Sequence, residues 1–448
     1  MKLSTIILAA GQGTRMNSAL PKVLHPLNGK PLVKYSIDLA SAAGSQRMVV
    51  VIGNGAQQVR EAAGDSVEYA IQQERLGTAN AVQAAESLLA GEKGLMLVIS
   101  ADMPLLTAAT LTHMVETQES AGGPMTLLTV RSANARGFGR IIRSIYGEVL
   151  GIIEEAQATA DQLKIDELNA GAYCFSSPWF WQALQKIQRS PKGEYYLTDI
   201  VAVAVAEGKK VRAVTVEDEE ETLGINNRVH LAEAERVIRR RINRAHLLAG
   251  VTMTDPDLVY IEETVRIGRD TVLLPNSKLT GSTVIGEGCE IGPGTIISDS
   301  SIGNHCHLLA SVIEGAVVED EVGMGPFCHL RKGAHLGRGV HMGNFGEVKD
   351  SHLAAGVKMG HFSYIGNATI GENVNIGAGT ITCNFDGELK HPTEIGENTF
   401  IGSDTMLVAP LKIGKNAKTA AGAVVTHDVA DNEVVAGVPA RPMKKKKE

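Results

Sequence analysis

Long apolar runs are missing from this 448-residue chain. No stretch of ~20 apolar residues occurs, so no membrane span is expected. The opening MKLSTIILAAGQG has only a short apolar run before a glycine turn, which does not make a signal peptide. Aromatic residues are scarce at 4% while glycine occurs 48 times, a balance that favours tight turns and small core residues. Positive charge is not in excess. The formal net charge of -7 excludes the broad basic surface that nonspecific nucleic-acid binding requires. The five cysteines, Cys174, Cys289, Cys306, Cys328 and Cys383, are odd in number and include no CxxC pair. That argues against a disulfide framework or a zinc site and for a reducing cytoplasm. The terminal KKKKE reads as a solvated tail. Length alone makes two domains the natural count.

The first half alternates strands and helices. Short apolar runs at Ser4–Ala9, Met48–Ile52, Leu95–Ser100 and Met125–Val130 are of strand type, and 32–43 and 79–89 are helix-like. This alternation predicts a mostly parallel sheet covered on both faces, with ligands beyond the carboxyl ends of its strands. From Asn227 to about Gly250 one long helix follows, its arginine cluster forming a solvated face.

The remainder is periodic. Ile267, Leu273, Leu279, Ile285, Ile291 and Ile297 recur every six residues, and the period returns at Leu330, Leu336, Met342 and Val348, then at Ile395, Ile401, Leu407 and Ile413. Glycine often follows the aliphatic residue. A hexapeptide period of this kind marks a parallel β-helix, in which three hexads close one triangular coil and residues eighteen apart stack. The period fails between Ile376 and Ile395, at GAGTITCNFDGELKHPTE, so a loop must leave the helix there.

In LAAGQGTRM, directly after the first strand, Gly11 and Gly13 let the backbone approach a ligand and turn amides toward phosphate oxygens. Arg15 and Lys22 add cations, one a fork and one a point charge. The segment is neither a P-loop nor a complete GxGxxG. It does resemble, with the following PK, the signature of sugar-1-phosphate nucleotidyltransferases. QQERLGTANA, SADMPL, GFGRI, NAG and GINNR then follow in the order seen in UDP-N-acetylglucosamine pyrophosphorylases. The likeness covers essentially the whole chain, because the bifunctional bacterial family of UDP-N-acetylglucosamine pyrophosphorylase and glucosamine-1-phosphate N-acetyltransferase also carries hexapeptide repeats.

That resemblance implies a Rossmann-like α/β nucleotidyltransferase domain over residues 1–226, a linker helix over 227–250, and a left-handed parallel β-helix over 251–448. It implies that Leu8, Ala9, Ala10, Gly11, Gln72, Gly77 and Thr78 hold the uridine of UTP, with Lys22, Ser100 and Asp102 completing the nucleotide site. Asp102 and Asn226 would hold Mg2+, and Gly139, Glu154 and Asn169, with Asn226, would hold N-acetylglucosamine-1-phosphate. The implied reaction is in-line attack on the α-phosphorus, with Arg15 and Lys22 neutralising the departing pyrophosphate.

In the periodic half, Arg331 and Lys349 stand eighteen residues apart and should stack, as should Ser403 and Ala421. His329, His335 and His341 are six apart and should face three different ways, which keeps them from converging on zinc within one chain. KMGHFSYIGNATIG resembles the family segment whose histidine takes a proton from the attacking amine, which assigns that role to His361. An imidazole, with an ordinary pKa of ~6.5, suits it. By the same likeness Arg331, Lys349, Tyr364, Asn375 and Lys390 bind glucosamine-1-phosphate. Ala378, Asn384, Phe385, Ser403 and Ala421 then contact acetyl-CoA. The family often has tyrosine at Phe385, and some members have an arginine where Gly437 stands here; Arg441, which follows in GVPARP, is the candidate to replace it at the acetyl-CoA site. The family implies a homotrimer through the β-helix and a cytoplasmic role in supplying cell-wall precursors. The alternative is a single-activity nucleotidyltransferase whose β-helix serves only assembly or regulation; a non-enzymatic scaffold is disfavoured by Arg15, Lys22, Asp102 and Asn226 all being present.

Overall fold

The computed structural model describes residues 2–443; the KKKKE tail lies outside them. The chain forms two compact units, Met1–Ile238 and Arg239–Glu448. The division falls inside the helix Arg228–Leu248. Its early turns carry Ala234 and Val237 into a cluster with Leu27, Leu32 and Ile225 of the first unit. Farther along, Asn243 donates to the carbonyls of Pro256 (2.7 Å) and Val259 (3.0 Å) of the second.

The four expected strands of the first unit occur as Leu3–Leu8, Arg47–Ile52, Leu95–Ser100 and Met125–Arg131. The sheet runs Arg212–Val216, Met125–Arg131, Glu167–Ser176, Leu95–Ser100, Leu3–Leu8, Arg47–Ile52, Glu68–Ile71 from edge to edge. All neighbours pair parallel except Glu167–Ser176, which is antiparallel to both of its own. Strand side chains alternate between faces. Ile6, Val49, Val51, Met96 and Val98 therefore pack into one cluster, and Ile7, Val50, Ile52, Leu97 and Ile99 into another. Burial on both faces is why these strands read as unbroken apolar runs. The helix expected over 79–89 is two pieces, Thr78–Gln83 and Glu86–Leu89. The Ala85 amide bonds to the Val82 carbonyl (3.0 Å), and this three-residue step tightens the turn between them.

The second unit is a left-handed parallel β-helix of hexapeptide repeats, with faces of twelve, ten and nine very short strands. On the twelve-stranded face Leu273, Ile291, Leu308, Met324, Met342, Met359, Ile376 and Ile401 stack inward in consecutive coils. Each is at most 3% exposed. Coil length departs from a constant eighteen. It is eighteen from Leu273 to Ile291, seventeen from Ile291 to Leu308, and sixteen from Leu308 to Met324, because residues are lost at corners. It rises to twenty-five from Ile376 to Ile401, where the loop leaves. Glycine follows the inward residue because the next coil passes too close for a side chain. A Cβ on Gly377 would lie 2.5 Å from the Ser403 nitrogen, and one on Gly402 would lie 2.6 Å from the Ala420 carbonyl carbon.

His329, His335 and His341 fall on the ten-, nine- and twelve-stranded faces respectively. His329 pairs with Glu314 (2.9 Å) and His335 with Glu319 (2.8 Å). The cysteines are free, though not all are scattered: the Cys306 amide lies 3.4 Å from the Cys289 sulfur in the neighbouring coil.

Candidate active sites

At the carboxyl ends of the parallel strands a cleft of about 550 Å³ opens. Leu8, Ala9, Ala10, Gly11, Gln72, Gly77, Thr78 and Ser100 line it, as do Arg15, Lys22 and Asp102. The glycine turn has two unlike glycines. Gly11 has open space where a Cβ would stand, whereas Gly13 sits at φ +64° with its missing Cβ 2.5 Å from the Lys22 Cβ. Gly13 thus lets Lys22 pack tightly under the turn, while Gly11 leaves its backbone accessible from the cleft.

Lys22 is the hub of the site. Its Nζ lies 2.5 Å from the Asp102 carboxylate and 3.4 Å from Oδ1 of Asn226. Arg15 donates to the same Asn226 oxygen at 3.0 Å. The side chains of Lys22 and Asp102 are only 13% and 19% exposed, so their attraction is less screened than at an open surface. The Ile225 amide donates to the Asp102 carbonyl (2.8 Å), a backbone tie that brings residues over 120 positions apart together. A carboxylate oxygen and an amide oxygen, the hard donors that magnesium takes, already face one positive centre.

Gln72 Nε2 donates to the Gly77 carbonyl (3.2 Å) and to Asn80 Oδ1 (2.9 Å), which orients the side chain. Gly77, at φ +104°, lies against the backbone of Tyr195, whose carbonyl oxygen would be 2.5 Å from an added Cβ. That contact brings Glu194 and Tyr196 to the cleft wall. Neither residue stood out in the sequence. Gln12 and Arg75 also line the cleft and join across it at 2.8 Å. Arg75 lies two residues before Gly77 in QQERLGT, the one signal that could have flagged it.

Gly139, Glu154 and Asn169 do not line this cleft; they form a neighbouring group. The Asn169 amide donates to the Gly139 carbonyl (2.8 Å), and Asn169 Nδ2 donates to the buried Tyr173 hydroxyl (2.7 Å). Glu154 accepts from Thr198 (2.9 Å), two residues past Tyr196, and so is linked to the cleft wall. Burial, with Glu154 adding to it, raises the pKa of the adjacent Asp199 carboxyl.

In the β-helix, corner segments 360–362, 377–379, 402–404 and 420–422 stack in consecutive coils. Gly379 donates to the Phe362 carbonyl (2.7 Å), Asp404 to Ala378 (2.6 Å), and Gly422 to Ser403 (2.8 Å). The stack aligns His361, Ala378, Ser403 and Ala421 in one column, with His361 exposed at its end. At the next corner Leu330 pairs with Val348, so Arg331 and Lys349 follow in adjacent coils as the spacing requires. Arg331 pairs with Glu347 (3.0 Å). Lys390, on the departing loop, faces Lys349 closely enough to lower the Lys349 pKa, and Arg331 adds to the effect. Tyr364 is on the ten-stranded face with its hydroxyl beside Asn384 and Gly366. Asn384 is buried and donates to Asn367 (2.7 Å), whereas Phe385 is 60% exposed. Asn375 stands apart, on the twelve-stranded face between Lys358 and Phe400. Arg441 is exposed in a short terminal strand and donates to the adjacent Ala440 carbonyl (3.0 Å), not to the column.

A nucleotide-type cleft on an α/β sheet, followed by a hexapeptide β-helix, defines a two-domain transferase. The nucleotidyl transferase family matches residues 4–223, and the bacterial transferase hexapeptide family matches 264–299 and 392–427. Relatives described as bifunctional protein GlmU match nearly the whole chain. The one from Halalkalibacterium halodurans is 45% identical over 425 residues, spanning 95% of this chain and 93% of the relative. That of Exiguobacterium sibiricum is 45% identical over 428 residues, spanning 95% of each. That of Heliobacterium modesticaldum is 46% identical over 429 residues, spanning 96% and 94%. The chain belongs to the GlmU family of bifunctional proteins.

Proposed function

We propose that the β-helix unit acetylates glucosamine-1-phosphate from acetyl-CoA, and that the first unit then transfers uridylyl from UTP to the N-acetylglucosamine-1-phosphate so made. The roles divide as 1–226 for uridylyl transfer, 227–250 as linker and 251–448 for acetyl transfer. The corner column of His361, Ala378, Ser403 and Ala421, with the Arg331, Lys349 and Lys390 cations at the next corner, carries this reading, since a β-helix used only for assembly needs neither.

In the first unit, the LAAG backbone with Gln72, Gly77 and Thr78 orients the uracil and ribose. Gly139, Glu154 and Asn169 position the sugar so that its phosphate oxygen lies in line with the α-phosphorus. Arg15 and Lys22 supply charge to the departing pyrophosphate. Asp102 and Asn226 would hold Mg2+, which when bound offsets phosphate charge at the reacting centre. In the second unit, the cations and Tyr364 hold the sugar phosphate, and Ala378, Asn384, Phe385, Ser403 and Ala421 hold acetyl-CoA. His361 accepts the amine proton as nitrogen attacks the thioester carbonyl; the C–S bond breaks and the coenzyme thiolate takes up a proton.

The working form is a homotrimer in the cytoplasm. Among the described residues no helix is long and apolar enough to cross a membrane. Asn375 and Tyr364 lie on different faces of one triangular coil, so they serve one substrate only if the twelve-stranded face of one subunit meets the ten-stranded face of another. Lys349→Ala and Asn375→Ala variants, each poor in acetylation, should then complement one another when co-expressed; no recovery above the separate proteins would place both residues in a single-subunit site.

The decisive assay is thiol release from acetyl-CoA on adding glucosamine-1-phosphate, run beside pyrophosphate release from UTP with N-acetylglucosamine-1-phosphate. Folded trimer that gives only the second would be the single-activity enzyme. A smaller effect is expected from Gly77→Ala. Its methyl would press on the Tyr195 backbone at a left-handed φ, costing about 1–3 kcal/mol. The KM for UTP should rise by about tenfold with acetylation unchanged, and an unaltered KM would mean that Tyr195 yields without moving Glu194 and Tyr196.

A further inference from the structure

The loop that interrupts the hexads is held by one carboxylate. Asp386 donates its amide to the Leu389 carbonyl (3.2 Å), while its Oδ1 accepts from the amides of Leu389 (2.7 Å) and Glu388 (2.8 Å). Its Oδ2 lies 2.6 Å from Nε2 of His391. Gly387 takes φ +106°, the left-handed turn this closure needs. Phe385 and Lys390 then pair across the hairpin, and the His391 amide returns to the Asn384 carbonyl (2.8 Å). The Leu389 amide, His391 and the Glu388 amide together hold the Asp386 carboxyl well below the usual range, so it stays charged.

The neighbour of His391 in the chain is Lys390, and its position has an electrostatic cost. The root of its loop sits on the corner beside Lys349, where Asn384 donates to Asn367 (2.7 Å) and the Asn367 amide to the Lys349 carbonyl (3.2 Å). The ammonium group of Lys390 faces Lys349, with Arg331 near, and like charges repel. A loop outside the coil, anchored only at its ends, would relieve that repulsion by turning the exposed Lys390 side chain away from Lys349. We propose that Asp386 and His391 form a clasp that holds Lys390 beside Lys349 and Arg331, making both positioning residues for the phosphate of the amino-sugar substrate. The clasp rests on the reading of those three cations as the phosphate site.

The test is a cycle of full-length variants, His391→Ala, Lys390→Ala and both together, assayed for acetylation over a range of glucosamine-1-phosphate. His391→Ala should raise the KM for the sugar phosphate about tenfold with kcat within about twofold. His391→Gln, which keeps a donor at similar reach, should recover most of the loss. On the Lys390→Ala background His391→Ala should add little, because the clasp acts through that lysine. An unchanged KM in His391→Ala, with a raised one in Lys390→Ala, overturns the clasp and leaves the phosphate site standing. Full additivity of the two also overturns it. An unchanged KM in Lys390→Ala overturns the phosphate site itself, and the clasp with it.

Discussion

Asp102→Ala should lower uridylyl transfer by about 10³-fold or more while acetylation stays within about twofold of the parent. The carboxylate pairs with Lys22 beside Asn226, and its loss removes the stronger of two oxygen donors from the candidate magnesium site. Charge stabilisation at a reacting phosphate accounts for several kcal/mol, and each 1.36 kcal/mol is a factor of ten in rate. The substitution leaves the main-chain carbonyl of residue 102 free to keep its bond from Ile225, so Asn226 should stay in place. What remains is Lys22 without its partner, a partly buried cation whose uncompensated charge lowers the stability of the first unit. Loss of fold and loss of metal can be separated. Asp102→Asn, which retains an oxygen and the side-chain volume, should need more magnesium to reach half-maximal rate, and the Ala variant should respond weakly at any concentration. Parallel loss of both activities would mean that the two sites are not independent.

The architecture was legible because it rests on periodicity. Two-residue alternation of buried side chains produced the apolar runs of the sheet, and six-residue recurrence produced the β-helix, so both follow from spacing alone. The cations at Arg331 and Lys349 could be stacked on paper for the same reason. Sequence spacing failed where a contact is made by backbone across long separations. Glu194 and Tyr196 reach the cleft because Gly77 admits the Tyr195 main chain, and nothing in EYYL signals that. A coil of seventeen residues puts Cys306 beside Cys289, a register that a uniform eighteen would miss. The resemblance groups Asn375 with Tyr364, whereas the coil geometry sets them on different faces, which no spacing in the sequence announces. The Asp386–His391 contact lies in the one stretch where the period is lost, and a period carries no information there.

His361→Ala should reduce acetylation by about 10²–10⁴-fold, the range a positioned base contributes, with uridylyl transfer unaffected. The ring is exposed at the end of the column formed with Ala378, Ser403 and Ala421, so it can be removed without opening the core. Two bonds to the neighbouring Phe362 carbonyl, from the Gly379 amide and from the Ser363 hydroxyl, do not involve the imidazole and keep the corner closed. A fall in rate would therefore report chemistry, not unfolding. At neutral pH the sugar amine is largely protonated, and the proton must be taken up before or during attack on the thioester. The KM for both substrates should change little, since the ring acts on the proton and the cations and column hold the ligands. Added imidazole should restore part of the rate by diffusing into the space left behind. A variant that loses only about twofold in rate would mean that solvent deprotonates the amine and that His361 merely lines the column.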